Sequence, residues 1–173
     1  TLTGGIALNG NLTLQTNNNV INGATKAGGI ITGGITGTGN VVLDNIGLAA
    51  NTLAFTTSAI NHTGSLTLQG SATGDTTIGS VIGANVTSVT QNSATSRMVL
   101  SAGTTHSYTG ATNVTAGTLV VNGNISTSTL TTVSSGATLG GSGTLGEVTV
   151  AAGATLAPGN SPGTLNTGTL TLN

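Results

Sequence analysis

Short runs in which hydrophobic and polar residues alternate recur along the whole chain, separated by glycine and asparagine. Each run has four or five residues, and most have a period close to two, the side-chain period of a strand with one buried face. Runs of this kind between turn-forming residues predict β-strands. The predicted strands are residues 11–15, 40–44, 52–56, 65–69, 97–100, 118–121, 147–150 and 169–172.

Internal repeats indicate how these strands are arranged. The sequence GATL at residues 136–139 recurs at 153–156, and GTL begins at Gly117, Gly143, Gly163 and Gly168. Repetition at roughly 17–26 residues is the spacing of one coil of a parallel β-helix with two or three short strands per coil. We therefore predict an all-β fold, a single-stranded parallel β-helix, in which residues 1–173 form a single β-solenoid of about 7–8 coils.

The composition fits this architecture. The 173 residues include 37 Thr, 29 Gly, 18 Asn and 15 Ser, whereas only 3% are charged and Phe55 and Tyr108 are the only aromatic residues. Stacked coils place equivalent side chains about 4.8 Å apart, so repeated charges would repel one another. We expect outward ladders of Thr, Ser and Asn, glycine and asparagine at the corners, and an apolar interior. The predicted inward positions include Leu119, Val121, Leu139, Val148, Val150 and Leu156.

Charge and hydropathy exclude several partners. With a net charge of −1 and two basic residues, the chain is not expected to bind nucleic acid, because it cannot neutralise a phosphate backbone. No apolar run approaches the roughly 18–20 residues of a membrane helix, so we expect no direct membrane insertion. The absence of cysteine excludes disulfides and thiolate chemistry.

Residues 97–172 resemble a known repeat family. The stretch 107–123, SYTGATNVTAGTLVVNG, is similar to the opening of the autotransporter-associated β-strand repeat, also called the passenger-associated transport repeat. Residues 136–145, GATLGGSGTL, continue it, and residues 153–165, GATLAPGNSPGTL, are similar to its closing signature. The resemblance implies a right-handed β-helix passenger of a Gram-negative type V secretion protein, extracellular or on the outer surface. Passengers of this family include adhesins, toxins and proteases, so the repeat names no activity.

Two parts of that family, the signal segment and the membrane barrel, have no counterpart in the sequence, so we expect a mature subunit or a fragment. Both ends have a strand pattern without the polar capping repeats that blunt a solenoid end. We therefore expect each end to pair with another β-helix coil.

Few residues offer chemistry. His62 and His106 have no acidic neighbour in sequence, and we expect them at surface or turn positions. A metal site needs three or four ligands, for which only Asp44, Asp75 and Glu147 could supply carboxylates. Asp44 and Asp75 could form a sugar-processing pair if they lay on neighbouring coils, but no basic or aromatic sugar-binding residues lie near them in the sequence.

Three local motifs have a chemical and a structural interpretation. Ser161 lies in a GxSxG pattern, but the next residue is Pro162, which has no N–H for an oxyanion hole. Residues 140–143, GGSG, lack the lysine and helix of a phosphate loop and are interpreted as a solenoid turn. Pro158 and Pro162 predict a rigid loop, and Tyr108 is expected at a coil corner. Five matches to the N-glycosylation pattern, at Asn11, Asn61, Asn85, Asn113 and Asn124, are expected by chance in a chain this rich in Asn and Thr.

These observations leave three functional classes: a fibre-forming subunit, a binding or stalk module, and a glycan-processing enzyme. The scarcity of chemical groups disfavours the enzyme, so we expect no catalytic, cofactor or metal site. Our first hypothesis is a cell-surface structural protein whose terminal coils stack head to tail into an extracellular filament. The alternative is a stalk or adhesive segment of an autotransporter passenger. In both cases the further partners would be glycans or neighbouring fibres.

Overall fold

The computed structural model describes residues 1–16, 20–21, 24–25, 29–46, 52–159 and 163–173. Within this part of the chain the regular structure is entirely β, with 21 strands and no helix, which confirms the predicted all-β class. Each of the eight predicted runs contains a strand. The strands are β1 (Ile6–Asn9), β2 (Leu12–Thr16), β3 (Val20–Ile21), β4 (Ala24–Thr25), β5 (Gly29–Ile31), β6 (Ile35–Thr38), β7 (Val41–Asn45), β8 (Leu53–Phe55), β9 (Gly64–Gln69), β10 (Thr76–Ile78), β11 (Val86–Asn92), β12 (Met98–Leu100), β13 (Ala111–Ala116), β14 (Thr118–Val121), β15 (Asn124–Ile125), β16 (Thr131–Val133), β17 (Thr138–Gly141), β18 (Thr144–Leu145), β19 (Val148–Val150), β20 (Thr155–Pro158) and β21 (Leu170–Leu172).

The strands stack into a parallel β-helix with three faces. The first face is a seven-stranded parallel sheet in the order β5-β8-β10-β12-β14-β17-β20. The second face is built from the pairs β1–β6 and β15–β18 together with single parallel bridges, such as Ile35 to Ile60 and Ile60 to Ile82. The third face is an eight-stranded parallel sheet in the order β2-β7-β9-β11-β13-β16-β19-β21. We number the turns of the solenoid 1 to 8 by these eight strands. Eight turns agree with the predicted 7–8 coils.

The register of the third face places one residue of each turn directly above its equivalent. Leucine and valine dominate the two inward columns because these positions face the shared core. One inward column contains Leu12, Val41, Leu66, Val89, Thr112, Thr131, Val148 and Leu170. The outward column between the inward ones contains Thr13, Val42, Thr67, Thr90, Asn113, Thr132, Thr149 and Thr171, as expected for a polar ladder.

The outward column of the first face differs from the predicted Thr, Ser and Asn ladder. It is mostly apolar and contains Ile30, Ala54, Thr77, Val99, Val120, Gly140 and Ala157. Ile30 is 47% exposed, whereas Val99 and Val120 are half-buried by their neighbours in the stack. A stripe one residue wide leaves little apolar surface in water, and scattered exposed apolar residues are common in proteins.

Five of the six predicted inward residues are buried: Leu119, Val121, Leu139, Val148 and Val150. Leu156 packs against the same core but is only half-buried. The cause is its position in β20, the outermost strand of the first face, where no further turn covers it.

The number of residues per turn is not constant. From turn 1 to turn 2 the register advances by 29 residues, from Leu12 to Val41. This turn includes the antiparallel pair β3–β4, which the sequence did not predict. The advance falls to 23 residues between Leu66 and Val89 and to 17 between Thr131 and Val148, and it rises again to 22 between Val148 and Leu170.

Candidate functional site

The two aspartates considered as a sugar-processing pair have separate partners. Asp75, at the start of turn 4, accepts two hydrogen bonds from Arg97, from Nε at 2.8 Å and from Nη2 at 2.7 Å. Asp44, in turn 2, accepts a hydrogen bond from Gln15 Nε2 at 2.8 Å. The two carboxylates therefore bind different side chains, Gln15 and Arg97, and no described hydrogen bond joins them to a shared partner.

The prediction that His62 and His106 lie at surface or turn positions is wrong. Both side chains have no solvent exposure. Burial lowers the pKa of His106 to about 4, and it also lowers the pKa of His62. One nitrogen of each ring hydrogen-bonds to backbone: His62 Nε2 donates to the Ser65 carbonyl at 3.1 Å, and His106 Nδ1 accepts from the Ile82 N–H at 3.0 Å. The bond to the Ser65 carbonyl favours the charged form of His62 and opposes the effect of burial on its pKa.

Tyr108 begins a chain of buried hydroxyl groups. Its Oη lies 2.8 Å from Thr112 Oγ1, which lies 2.9 Å from Ser128 Oγ, and Ser128 donates to the Gly110 carbonyl at 2.8 Å. Because each hydroxyl has one proton, the bond to Gly110 sets the direction: Thr112 donates to Ser128, and Tyr108 donates to Thr112. Burial raises the pKa of Tyr108 to about 12. The ring is fully buried, so it offers no face on which a ligand could stack.

A second buried polar cluster, which the sequence analysis did not predict, lies where the third face leads into the first. Asn45 Nδ2 donates to the Gly74 carbonyl at 3.1 Å and to Ser96 Oγ at 3.2 Å. Gln91 Nε2 donates to the carbonyls of Ser93 and Ser96, both at 2.8 Å. These contacts connect turns 2, 3 and 4 through side chains at a corner where the backbone leaves the ladder.

The remaining motifs have structural positions. Ser161 and Pro162 lie outside the described residues, so the GxSxG pattern is described only at its ends. Residues 140 and 141 of the GGSG run are the end of strand β17, and no helix follows them in the described chain. Glu147 is exposed just before β19. Among the described residues, no group of three or more His, Cys, Asp or Glu side chains is close enough to bind a metal ion.

The corner between the first and second faces forms a shallow polar cleft of about 240 Å³ across turns 5 to 7. Residues 103–105, 122–124 and 142–144 line it, none of them charged. Asn122 Oδ1 accepts a hydrogen bond from the Ser142 N–H at 3.2 Å, and Asn124 Oδ1 accepts one from the Ser126 N–H at 2.8 Å. The cleft therefore offers hydroxyl and amide groups for hydrogen bonding with a neutral polar ligand.

Both ends of the solenoid expose apolar side chains of the terminal turns. Leu170 and Leu172 of β21 are 40% and 68% exposed, and Leu2 beside the first turn is 44% exposed. Around Leu2, the side chains of Leu14 and Leu53 help to line an open hollow of about 250 Å³. In the middle of the stack the equivalent inward positions, such as Val148 and Val150, are buried.

In the part of the chain that the structure describes, no helix has the length and hydropathy needed to cross a membrane.

Comparison with known proteins gives a partial match. A segment of 57 residues is 54% identical to the curated protein Adhesin BmaC autotransporter of Brucella suis biovar 1 (strain 1330). The match covers 32% of this chain and 2% of the relative. The resemblance to autotransporter passengers is thus confirmed for a segment of the chain. No family model and no solved structure matches.

Proposed function

We propose that this chain is a non-catalytic, rod-like segment of a surface-displayed autotransporter passenger of a Gram-negative bacterium. The observation that carries the proposal is the uninterrupted stacking of eight parallel turns, one strand above the next, over the described length. Such a stack separates its two ends by about 35–40 Å, given a strand spacing near 4.8 Å. The segment that matches an autotransporter adhesin supports a place in a passenger.

The exterior supports a role based on weak, repeated contacts. The outward column of the third face is mostly threonine, and the corner cleft is lined by uncharged polar residues. Hydroxyl and amide groups in register suit multivalent hydrogen bonding with glycans or with neighbouring fibres. These contacts would make the rod adhesive along its length as well as a spacer.

Labelling of intact cells tests this proposal. An antibody raised against the 173-residue chain should bind cells of the source bacterium without permeabilisation, and a periplasmic protein should remain unlabelled as the control. Small-angle scattering of the isolated chain should give a rod whose length increases by about 38 Å when two copies are joined in tandem. Labelling that requires permeabilisation, or a tandem chain that is no longer than the single one, would contradict the proposal.

A second candidate, a filament built head to tail, is favoured by the exposed leucines at both ends. Leu170, Thr171 and Leu172 in turn 8 repeat the pattern of Leu12, Thr13 and Leu14 in turn 1, so turn 8 of one copy could continue into turn 1 of the next. This contact is heterologous and does not close on itself, so it would generate a filament. Continuation of the same polypeptide would cover the same surfaces in a passenger rod.

Light scattering on the isolated chain distinguishes these two candidates. A filament subunit should show concentration-dependent growth, and Leu172→Lys should stop it because a charge would be buried in the contact. Thr171→Lys is the matched control, since Thr171 lies on the outward column of the same strand. A monodisperse monomer at all concentrations would eliminate the filament and leave the passenger rod.

A further inference from the structure

On the second face of the solenoid, between turns 4 and 5, a histidine ring replaces a backbone hydrogen-bond acceptor. Between turns 3 and 4 the ladder is regular: the Ile60 N–H donates to the Val81 carbonyl at 2.9 Å, and the Gly83 N–H donates to the Ile60 carbonyl at 2.8 Å. Between turns 4 and 5 the Ser107 N–H donates to the Ile82 carbonyl at 2.9 Å, as in the turn below. The Ile82 N–H, however, donates to Nδ1 of His106 at 3.0 Å.

This contact fixes the state of the imidazole. An N–H can donate only to an unprotonated ring nitrogen, so the proton of neutral His106 is on Nε2. The Nε2 atom is buried and has no hydrogen-bond partner among the described residues. A second proton would have to go to Nδ1, where it would face the Ile82 N–H, and two donors cannot share a hydrogen bond. The charged ring would also lack a carboxylate partner among the described residues.

No described residue around His106 stabilises the charged form of its ring. Its own N–H donates to the Asn124 carbonyl of turn 6 at 2.9 Å, so turns lie on both sides of the ring. The titratable side chain in contact with it is Tyr108, with ring centroids 6.4 Å apart, and burial raises the pKa of that phenol to about 12. Burial is the cause that lowers the pKa of His106 to about 4. The carboxylates of Asp44 and Asp75 are engaged by Gln15 and Arg97, and Glu147 is exposed.

We propose that His106 is an acid-sensitive latch, a side chain that joins turns 4 and 5 on the second face while it is neutral and releases them when it is protonated. On the first and third faces the pairs β10–β12 and β11–β13 still join the same two turns through backbone. Acid would therefore open one face locally rather than separate the solenoid into two halves.

The direction of the pH effect follows from the pKa of His106 in two states: the closed state, in which the ring joins turns 4 and 5, and the open state, in which it is released into water. In the open state the ring has the ordinary histidine pKa of about 6.5, and in the closed state it has a pKa of about 4. The open state therefore binds the proton more tightly, and the closed state loses stability as the pH falls from about 6.5 to about 4. The difference between these two pKa values corresponds to a change of roughly 300-fold in the opening equilibrium, which is complete once the pH has passed both values.

Amide hydrogen exchange of the full 173-residue chain tests the latch. The protection factor of the Ile82 amide, corrected for intrinsic exchange, should fall by up to roughly 80-fold between pH 6.5 and pH 4. The Ile60 amide, whose acceptor is a backbone carbonyl, is the internal reference and should change far less. Protection of Ile82 that does not depend on pH would overturn the proposal.

The variant His106→Asn assigns the effect to the imidazole. The Oδ1 atom of asparagine lies close to the position of Nδ1 and can accept the Ile82 N–H, but it does not titrate. The variant should keep Ile82 protected at both pH values, whereas the control His62→Gln should retain the acid response. An equal loss of protection in His106→Asn would overturn the proposal.

If His106→Asn does not fold, nitrogen NMR of the wild-type imidazole gives the answer. Nδ1 of His106 should be unprotonated at pH 7 and should titrate together with the Ile82 amide, well below 6.5. Titration near 6.5 without a change at the Ile82 amide would overturn the latch.

Discussion

Arg97 donates two parallel hydrogen bonds to Asp75 on the preceding turn of the solenoid, from Nε to Oδ1 and from Nη2 to Oδ2. The pair lies on the exterior, with side-chain exposures of 55% and 31%. It is the only salt bridge among the described residues. It engages Asp75, one of the two carboxylates that the glycan-processing hypothesis would need.

Asp75 and Asp44 should be dispensable. Because exposed ion pairs contribute about 0–1 kcal/mol, Arg97→Ala should reduce the free energy of unfolding by no more than that amount. The double variant Asp44→Asn with Asp75→Asn should fold with nearly unchanged stability in denaturant titrations. Polysaccharide cleavage by the unmodified chain that disappears in the double variant would revive the enzyme hypothesis.

Val148→Asp should destabilise the solenoid strongly. Val148 is 1% exposed in the inward column of β19, so a carboxylate there would be buried without a partner and should cost several kcal/mol. Thr149→Asp is the matched control, because the next residue of the same strand points outward. Denaturant unfolding should separate the two variants clearly, and equal effects would contradict the assigned register.

The buried hydroxyl chain should show coupling between Tyr108 and Thr112. Thr112→Val should cost more than Tyr108→Phe, roughly 2–3 against 1–2 kcal/mol, because it leaves the tyrosine proton buried without an acceptor. In the double variant that proton is absent, so the total loss should be smaller than the sum of the two single losses. Strict additivity in unfolding experiments would show that the two hydroxyls do not interact.

Two glycines with the same backbone conformation should differ in their tolerance of alanine. Gly117 and Gly136 have φ angles of +64° and +78°, so both substitutions carry the strain of a left-handed residue, about 1 kcal/mol. At Gly117 a Cβ would lie 2.0 Å from the Ser93 carbonyl oxygen of the turn below, whereas at Gly136 it would meet nothing within 4 Å. Gly117→Ala should therefore lower the thermal midpoint considerably more than Gly136→Ala, and the opposite order would contradict the stacking described here.

The sequence predicted the solenoid architecture better than it predicted which polar side chains are buried inside it. Strands such as β7 and β14 were predictable because their inward positions are Leu and Val, which give a clear period of two. Strands β11 and β13 were missed because Gln91 and Thr112 occupy inward positions and break that pattern.

The buried histidines could not be predicted for a related reason. Hydropathy treats His106 as polar, yet a neutral imidazole that accepts a backbone hydrogen bond satisfies a donor inside the core. Whether a polar side chain is buried depends on a partner about one turn away in sequence. That partner is known only when the register of the stack is known.

The shortening of the turns has a consequence for the rod as a material. Between turns 3 and 4 the chain uses 23 residues for one step along the axis, and between turns 6 and 7 it uses 17. The axial rise per step is set by strand spacing and stays near 4.8 Å. Between these two steps the linear mass density of the rod therefore falls by roughly a quarter, and it rises again in the last step, which takes 22 residues from Val148 to Leu170.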